Sequence, residues 1–298
     1  MDNVPRLSGA GTFGPAATAS PDHLEAITRV CVDDLLSAFG LGGAGSWRRP
    51  LELVSRIPAR RLARQIAVYD GIVGEWGLAA GGAWALERMS RGAQVGGWEN
   101  VPREGPLLLV SNHPGLADAV ALFAATPRTD LRVVASERPL LAALPNTSRH
   151  LLTVPETSPG RFGLVRAATQ HLRQGGAVLT FPGGRIEPDP TALPGAVEAL
   201  DRWSSSVDLF ARLTPELAIV PVVVSGVISP AALRNPLTRL RRRRRDREWL
   251  AATLQMLTPA LRNVTVRVEF GSPVQASPGA GDAVRAEMRR LLERRGAR

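Results

Sequence analysis

The chain contains no lysine, so all 37 of its basic residues are arginine. Against 27 acidic residues this leaves a net charge of +10, which calls for an acidic partner. Anionic lipid headgroups, an acidic carrier protein and nucleic acid all fit that description. Cysteine is almost absent too. The one cysteine, Cys31, excludes an internal disulfide and suits a reducing compartment. It lies in an amphipathic stretch and reads as a packing residue. No apolar run reaches the ~20 residues of a membrane span. The nearest, Trp76 to Leu86, is shorter and broken by glycine. The first residues, Met1 to Ser20, lack the basic, apolar, cleavable order of a secretory signal. Zinc-ligand spacing, a Rossmann glycine motif and a Walker loop are all missing. The expectation is a protein that is soluble or lies on a membrane surface without crossing it.

What is present is a chain of 298 residues with a 44% hydrophobic share, enough for one large α/β domain and an accessory piece. Residues 1–20 read as a disordered tail. Asp22 is placed to cap a helix from His23 to about Phe39, with Leu24, Ile27, Cys31, Leu35 and Phe39 near one face. A second helical region runs from Leu51 to about Met89, interrupted near Pro58 and loosened at Gly81-Gly82. Arg56, Arg60, Arg61 and Arg64 lie among its apolar residues, and Trp47, Trp76, Trp84 and Trp98 are spread through this part. Two readings stand: a helical hairpin whose arginine face is solvated, or a helix lying in a membrane interface.

From Val95 the pattern changes. Leu107–Val110, Leu131–Ala135, His150–Val154, Ala177–Phe181, Ala218–Val224 and Val264–Phe270 read as strands. Val120–Ala125, Phe162–Arg173 and Ala283–Arg295 read as helices. This alternation predicts a mixed, mostly parallel sheet flanked by helices, with residues 21–94 as a helical extension and 95–298 as the main domain. Pro221, inside one of these strands, reads as a mark of a sheet edge or a bend at the pocket wall.

Two stretches follow strands directly. In Ser111-Asn112-His113-Pro114-Gly115-Leu116-Ala117-Asp118, His113 leaves a strand and Asp118 sits in the first turn of the next helix. Ligands bind at that edge of open α/β sheets. With a tight Pro-Gly turn between them, the carboxylate reaches back to the imidazole. There it fixes the tautomer and raises the basicity of the other nitrogen, which makes His113 a candidate general base. A polar strand cap and an acidic residue serving the helix dipole are the plainer reading. The second stretch, Thr180-Phe181-Pro182-Gly183-Gly184-Arg185, is expected at the same edge, as a concave anion site or as an ordinary turn with a solvated arginine. A third feature, the run Arg241–Arg245 within Arg239–Arg247, offers a cationic patch for an anionic membrane surface or an acidic carrier. Only Trp249 lies near it. The aromatic interleaving of single-strand binders is missing, so no nucleic acid is expected. His23, His150 and His171 read as surface or strand-end histidines.

Taken in order, these stretches resemble a family. Asn112-His113-Pro114 with Asp118 resembles the first motif of the glycerolipid acyltransferase superfamily, which includes the lysophosphatidate acyltransferases. Phe181-Pro182-Gly183-Gly184-Arg185 is similar to its third motif and Ile219-Val220-Pro221-Val222 to its fourth. The similarity spans roughly Val95 to Val274 and implies a glycerol-3-phosphate acyltransferase-like fold. It also implies acyl transfer from acyl-CoA or acyl carrier protein to a hydroxyl of a lysolipid, with His113 as base and Asp118 as its orienting partner. Asn112, Phe181, Pro182, Gly183, Gly184 and Arg185 would bind substrate. No metal and no prosthetic group are implied, and the place implied is the cytoplasmic face of the membrane.

The chain departs from that pattern twice. The third motif usually has Glu where Gly183 stands. The second usually ends in an Arg that binds the acceptor phosphate, whereas Leu151–Glu156 offers none, leaving Arg149 and Arg161 as the nearest substitutes. Two alternatives follow: an acceptor without phosphate, resembling that of ornithine-lipid acyltransferases, or a lipid-binding protein that keeps the fold around a degenerate site.

Overall fold

A computed structural model describes residues 20–43, 45–155 and 158–296. The tail expected over residues 1–20 lies outside them except for Ser20. In chain order the elements are α1 (Pro21–Phe39), α2 (Arg48–Met89), β1 (Ala93–Gly96), β2 (Leu107–Ser111), α3 (Leu116–Ala125), β3 (Arg132–Ser136), α4 (Pro139–Ala142) and α5 (Pro145–Ser148). There follow β4 (Leu151–Val154), α6 (Ser158–Arg173), β5 (Ala177–Thr180), α7 (Ala196–Ala199), α8 (Ser206–Leu213) and β6 (Ala218–Ser225). The chain continues through α9 (Pro230–Leu233), α10 (Arg244–Leu257), β7 (Val266–Phe270), β8 (Val274–Gln275) and α11 (Ala280–Gly296).

The strands form one sheet in the order β1-β7-β6-β2-β5-β3-β4, with β8 also on β6. Every pairing is parallel except those of β7 and β8 with β6. β2 is central and buried along its whole length, so it is apolar at every position up to Val110 rather than alternating. Leu107 and Leu109 face a layer made by α2 and α3, packing with Leu86, Ala121 and Leu122. Leu108 and Val110 face the opposite layer of α6, α8 and α11, with Leu172, Phe210 and Met288. This is the mixed, mostly parallel, helix-covered sheet that the strand pattern predicts.

Four details correct the sequence reading. The cap of α1 is Ser20, not Asp22: its hydroxyl accepts from the His23 N–H at 3.2 Å. α2 runs unbroken through Pro58 and breaks at Gly77, whose φ of 85° and ψ of 173° are non-helical. The hydrogen bond Pro58 lacks would go to the carbonyl of Val54, a residue on the solvent face, where water can substitute. Gly81-Gly82 is not a loosening but a close approach. A Cβ on Gly82 would lie 2.6 Å from the Val120 carbonyl oxygen, so its absence lets α2 pack down on α3. Pro221 is not at a sheet edge, because β6 is paired on both sides. Its carbonyl accepts from the Gly271 N–H, in the gap between β7 and β8, so its missing donor falls where the neighbouring strand is interrupted.

The arginine run also has more structure than a solvated patch. It leads into α10, which packs Leu250 and Leu254 against Ala38 of α1. Arg241 pairs with Asp246 at 3.0 Å and Arg244 with Glu248 at 2.8 Å, while Arg242, Arg243 and Arg245 are exposed. Cys31 is buried between α1 and α2, and burial, helped by Asp34, pushes its thiol up to about 12. That is the chemistry of a packing residue.

Candidate active site

Because β2, β5 and β6 run parallel, the loops after them meet at one edge of the sheet. The His113 turn leaves β2. Pro114 and Gly115 reverse the chain, and Asp118 enters in the first turn of α3. The carboxylate is fully buried and gathers three donors. Its Oδ2 accepts from His113 Nδ1 at 2.8 Å and from the Gly115 N–H at 2.9 Å, and its Oδ1 accepts from the Ala119 N–H at 2.5 Å. A carboxylate can only accept, so Nδ1 carries the proton and Nε2 is the free basic nitrogen. The His113 side chain keeps 26% of its surface exposed. Its ring lies 4.6 Å from that of Phe181, tilted by 34°. Burial works against the imidazolium, but the Asp118 charge, its hydrogen bond and the more distant Glu187 outweigh it and hold the His113 pKa above its ordinary value.

The turn after β5 brings Phe181 to the imidazole. Gly184 adopts φ +61°, and its N–H donates to the Phe181 carbonyl at 3.0 Å, closing a tight turn that a side chain there would strain. Gly184 and Arg185 are exposed beside this turn, while Pro182 is buried and its carbonyl accepts from the Ser204 N–H.

The remaining expected binding residues fare differently. The Asn112 amide is committed to β6: its Nδ2 donates to the Val224 carbonyl at 2.9 Å, and its Oδ1 accepts from the Val224 N–H at 2.8 Å. It ties two strands together and has little left for a ligand. Arg149 is a correction. It precedes β4, at the amino ends of the parallel strands, so it lies on the edge opposite His113. Arg161 stands in the first turn of α6, at the correct edge but three strands from β2, about 14 Å across the sheet.

Two carboxylates that the sequence reading passed over hold the edge together. Glu187 is buried. Its Oε2 accepts from the His113 backbone N–H at 2.9 Å and its Oε1 from Trp203 Nε1 at 2.8 Å, while its own N–H donates to the His113 carbonyl at 2.8 Å. Asp189 is fully buried and accepts from the N–H groups of Gly226, Val227 and Ile228 in the loop after β6, and from Thr191. The signal was present as Glu187-Pro188-Asp189-Pro190: two carboxylates in a proline-fixed segment directly after a glycine turn. The side chain missing at Gly183 and the carboxylate at Glu187 are linked, since a Cβ on Gly183 would sit 2.8 Å from Glu187 Oε1.

Beside the Pro114-Gly115 turn lies a small apolar cleft lined by Met89, Ala117, Val227, Ile228 and Met256. At about 40 Å³ it is far below the roughly 300–1,000 Å³ of an enclosed small-molecule site. Among the described residues no helix is long and apolar enough to cross a membrane.

A family model described as Acyltransferase matches residues 92–225, from the start of the first strand through the end of β6. This stretch, a little under half of the chain, holds the His113 turn and the Phe181 to Arg185 turn, and its match supports the resemblance to the acyltransferase superfamily that the motifs carry. Among solved structures, the chain is similar to the 1-acyl-sn-glycerophosphate (LPA) acyltransferase PlsC from Thermotoga maritima. The identity is 17% and the TM-score 0.44, over 93% of this chain and 98% of that one. No curated protein matches the chain.

Proposed function

We propose that the protein transfers a fatty acyl group from a thioester, acyl-CoA or acyl carrier protein, to a hydroxyl of a lysolipid acceptor. The observation that carries this reading is the bond from His113 Nδ1 to the buried Asp118 carboxylate, with the imidazole open at the sheet edge. His113 Nε2 takes the acceptor's proton while its oxygen attacks the thioester carbonyl carbon. The tetrahedral intermediate collapses, the C–S bond breaks, and the thiolate takes the proton back from the imidazolium. Asp118 stabilises the imidazolium in between. Exposed Arg185 and the Gly183-Gly184 backbone face the headgroup or the developing oxyanion. The apolar lining of the small cleft beside Pro114 and Gly115 suits the first part of the acyl chain. No cofactor is needed for these steps.

With Arg149 on the far edge and Arg161 three strands from β2, neither substitute for the second-motif arginine stands beside the base, which favours an acceptor without phosphate as the second reading. Thioester turnover against a panel of lysophospholipids and lyso-ornithine lipids tests both. The reading expects turnover with at least one class and its loss in His113→Ala. No turnover with any acceptor, together with tight vesicle binding, would instead favour a lipid-binding protein with a degenerate site.

The same reading puts the protein on an anionic membrane surface at the cytoplasmic face. The exposed arginines of Arg239–Arg247 support it, and α2 supports it further. Leu53, Val54 and Ile57 are 72%, 73% and 80% exposed, and Trp47 is 71% exposed just before the helix. Arg60, Arg61 and Arg64 continue the same helical face and are exposed as well. A ridge of large apolar side chains followed by cations fits the boundary between acyl chains and headgroups.

A further inference from the structure

We infer that Glu187 is a positioning residue for His113, and that it must be an ionised carboxylate because both groups it faces are obligate donors. The His113 backbone N–H and the Trp203 indole N–H point at its two oxygens, at 2.9 and 2.8 Å. Neither donor can turn into an acceptor. An amide at this place would offer one oxygen and one NH₂, so one of the two N–H groups would be left facing a hydrogen, and a protonated acid would meet one of them with a hydroxyl oxygen, a weaker acceptor than a carboxylate. Glu187 also returns its own N–H to the His113 carbonyl. The peptide units on both sides of the base are thus held by one residue from another loop, while Asp118 holds the ring.

The surroundings agree. The charged groups facing Glu187 are His113 and Asp118, and from the segment between α7 and α8 comes the Trp203 indole. Burial raises the Glu187 pKa above its ordinary value against the pull of the indole, of the His113 N–H and of the His113 charge. In return its negative charge favours the imidazolium. Gly183 leaves the space this carboxylate occupies, because any side chain there would start 2.8 Å from Oε1. The base therefore answers to two carboxylates. One binds the imidazole directly and the other acts through the backbone and the local field.

The experiment compares E187Q, W203F and the double variant with the parent. Two readouts are taken: the titration of the His113 imidazole by NMR, assigned by its loss in His113→Ala, and kcat and KM for thioester turnover. E187Q should lower the titration midpoint of His113 and cut kcat tenfold or more at little change in KM. In the double variant the indole donor is gone, so the glutamine oxygen is free to accept from His113. kcat should then recover several-fold over E187Q while the midpoint stays low. If E187Q alone does not fold, the double variant folds and carries both measurements. A His113 midpoint and a kcat equal to the parent's in folded E187Q would overturn the assignment, as would a double variant no better than E187Q or itself unfolded. The kinetic arm rests on the acyl-transfer reading, but the titration does not. A parent without turnover sinks that reading and leaves Glu187 to be decided by the imidazole midpoint.

Discussion

Replacing Asp118 by Asn separates the orienting charge from the shape of the site. The buried carboxylate receives two donors on Oδ2 and one on Oδ1. An asparagine can satisfy this set in neither orientation. With its oxygen in the Oδ2 place, its NH₂ faces the Ala119 N–H. With its NH₂ there instead, it meets the Gly115 N–H and forces His113 Nδ1 to accept, which moves the ring proton to Nε2 and removes the base. An unpaired buried donor costs about 1–3 kcal/mol, so the variant should fold with a lowered midpoint of urea unfolding. The wrong tautomer should cost about 10³- to 10⁴-fold in kcat, as in serine-protease triads. Losing the base itself in His113→Ala should cost more. The sign of the pH effect follows from the site. A general base works when neutral, so the rate climbs as pH rises through the folded pKa of His113, which lies above 6.5. Without the Asp118 charge, burial dominates and pulls that pKa down, so the acid limb of the pH–rate profile should move to lower pH. Thiol release from an acyl thioester, followed from pH 5 to 9 with a saturating acceptor, measures both quantities. A kcat within threefold of the parent, or an acid limb that does not move, would refute the pairing as the source of catalysis.

Other perturbations reach different parts of the same edge. Gly183→Ala should cut turnover tenfold or more, since its Cβ would displace the Glu187 carboxylate from the His113 N–H; unchanged kinetics would show that the contact yields freely. Asp189→Ala leaves the N–H groups of Gly226, Val227 and Ile228 without their acceptor and should cost about 3 kcal/mol or more in denaturant unfolding. Ile57→Asp should weaken sedimentation with anionic vesicles by severalfold and leave thermal stability nearly unchanged, because the side chain is 80% exposed. His113, whose folded pKa is raised, contributes stability that is complete below its unfolded pKa of 6.5 and is lost as pH rises through the folded pKa. The fall in unfolding free energy across that window should therefore shrink in His113→Ala, as read from urea titrations at several pH values.

Much of this edge was legible in the sequence because its geometry is local. A strand, a Pro-Gly turn and a helix start place His113 and Asp118 five residues apart with few ways to fold, so the spacing allows their meeting beside the plainer reading of a cap and a helix-dipole carboxylate, and the structure shows the two bonded. β2 was equally plain, since burial on both faces leaves an uninterrupted apolar run. What could not be read were the bonds between loops distant in the chain. Glu187 meets His113 across 74 positions, and Asn112 meets Val224 across 112. Nothing in a window of residues reports such a pairing, so the resemblance alone assigns Asn112 to substrate and Glu187 goes unmarked. Arg149 was misplaced for a related reason. Its distance in sequence from the second-motif region is small, but most of that region is the short strand β4, and a strand carries the chain from one edge of the sheet to the other.

The same contrast bears on the missing glutamate of the third motif. Judged by alignment of residues, Gly183 removes a carboxylate and argues for a degenerate site. Judged in space, a carboxylate four positions later fills the room that Gly183 leaves, and it does so with both oxygens bonded and one of them on the base's own peptide. A site drifting out of use has no reason to keep a buried charge, which costs several kcal/mol to desolvate unless donors are supplied. Here five backbone and side-chain donors serve Asp118 and Glu187, drawn from the turn after β2, the first turn of α3 and the segment between α7 and α8. Two buried negative charges held beside a single imidazole are expensive in any fold, and the group they favour is a positively charged ring. That is the state His113 reaches only after it has taken a proton.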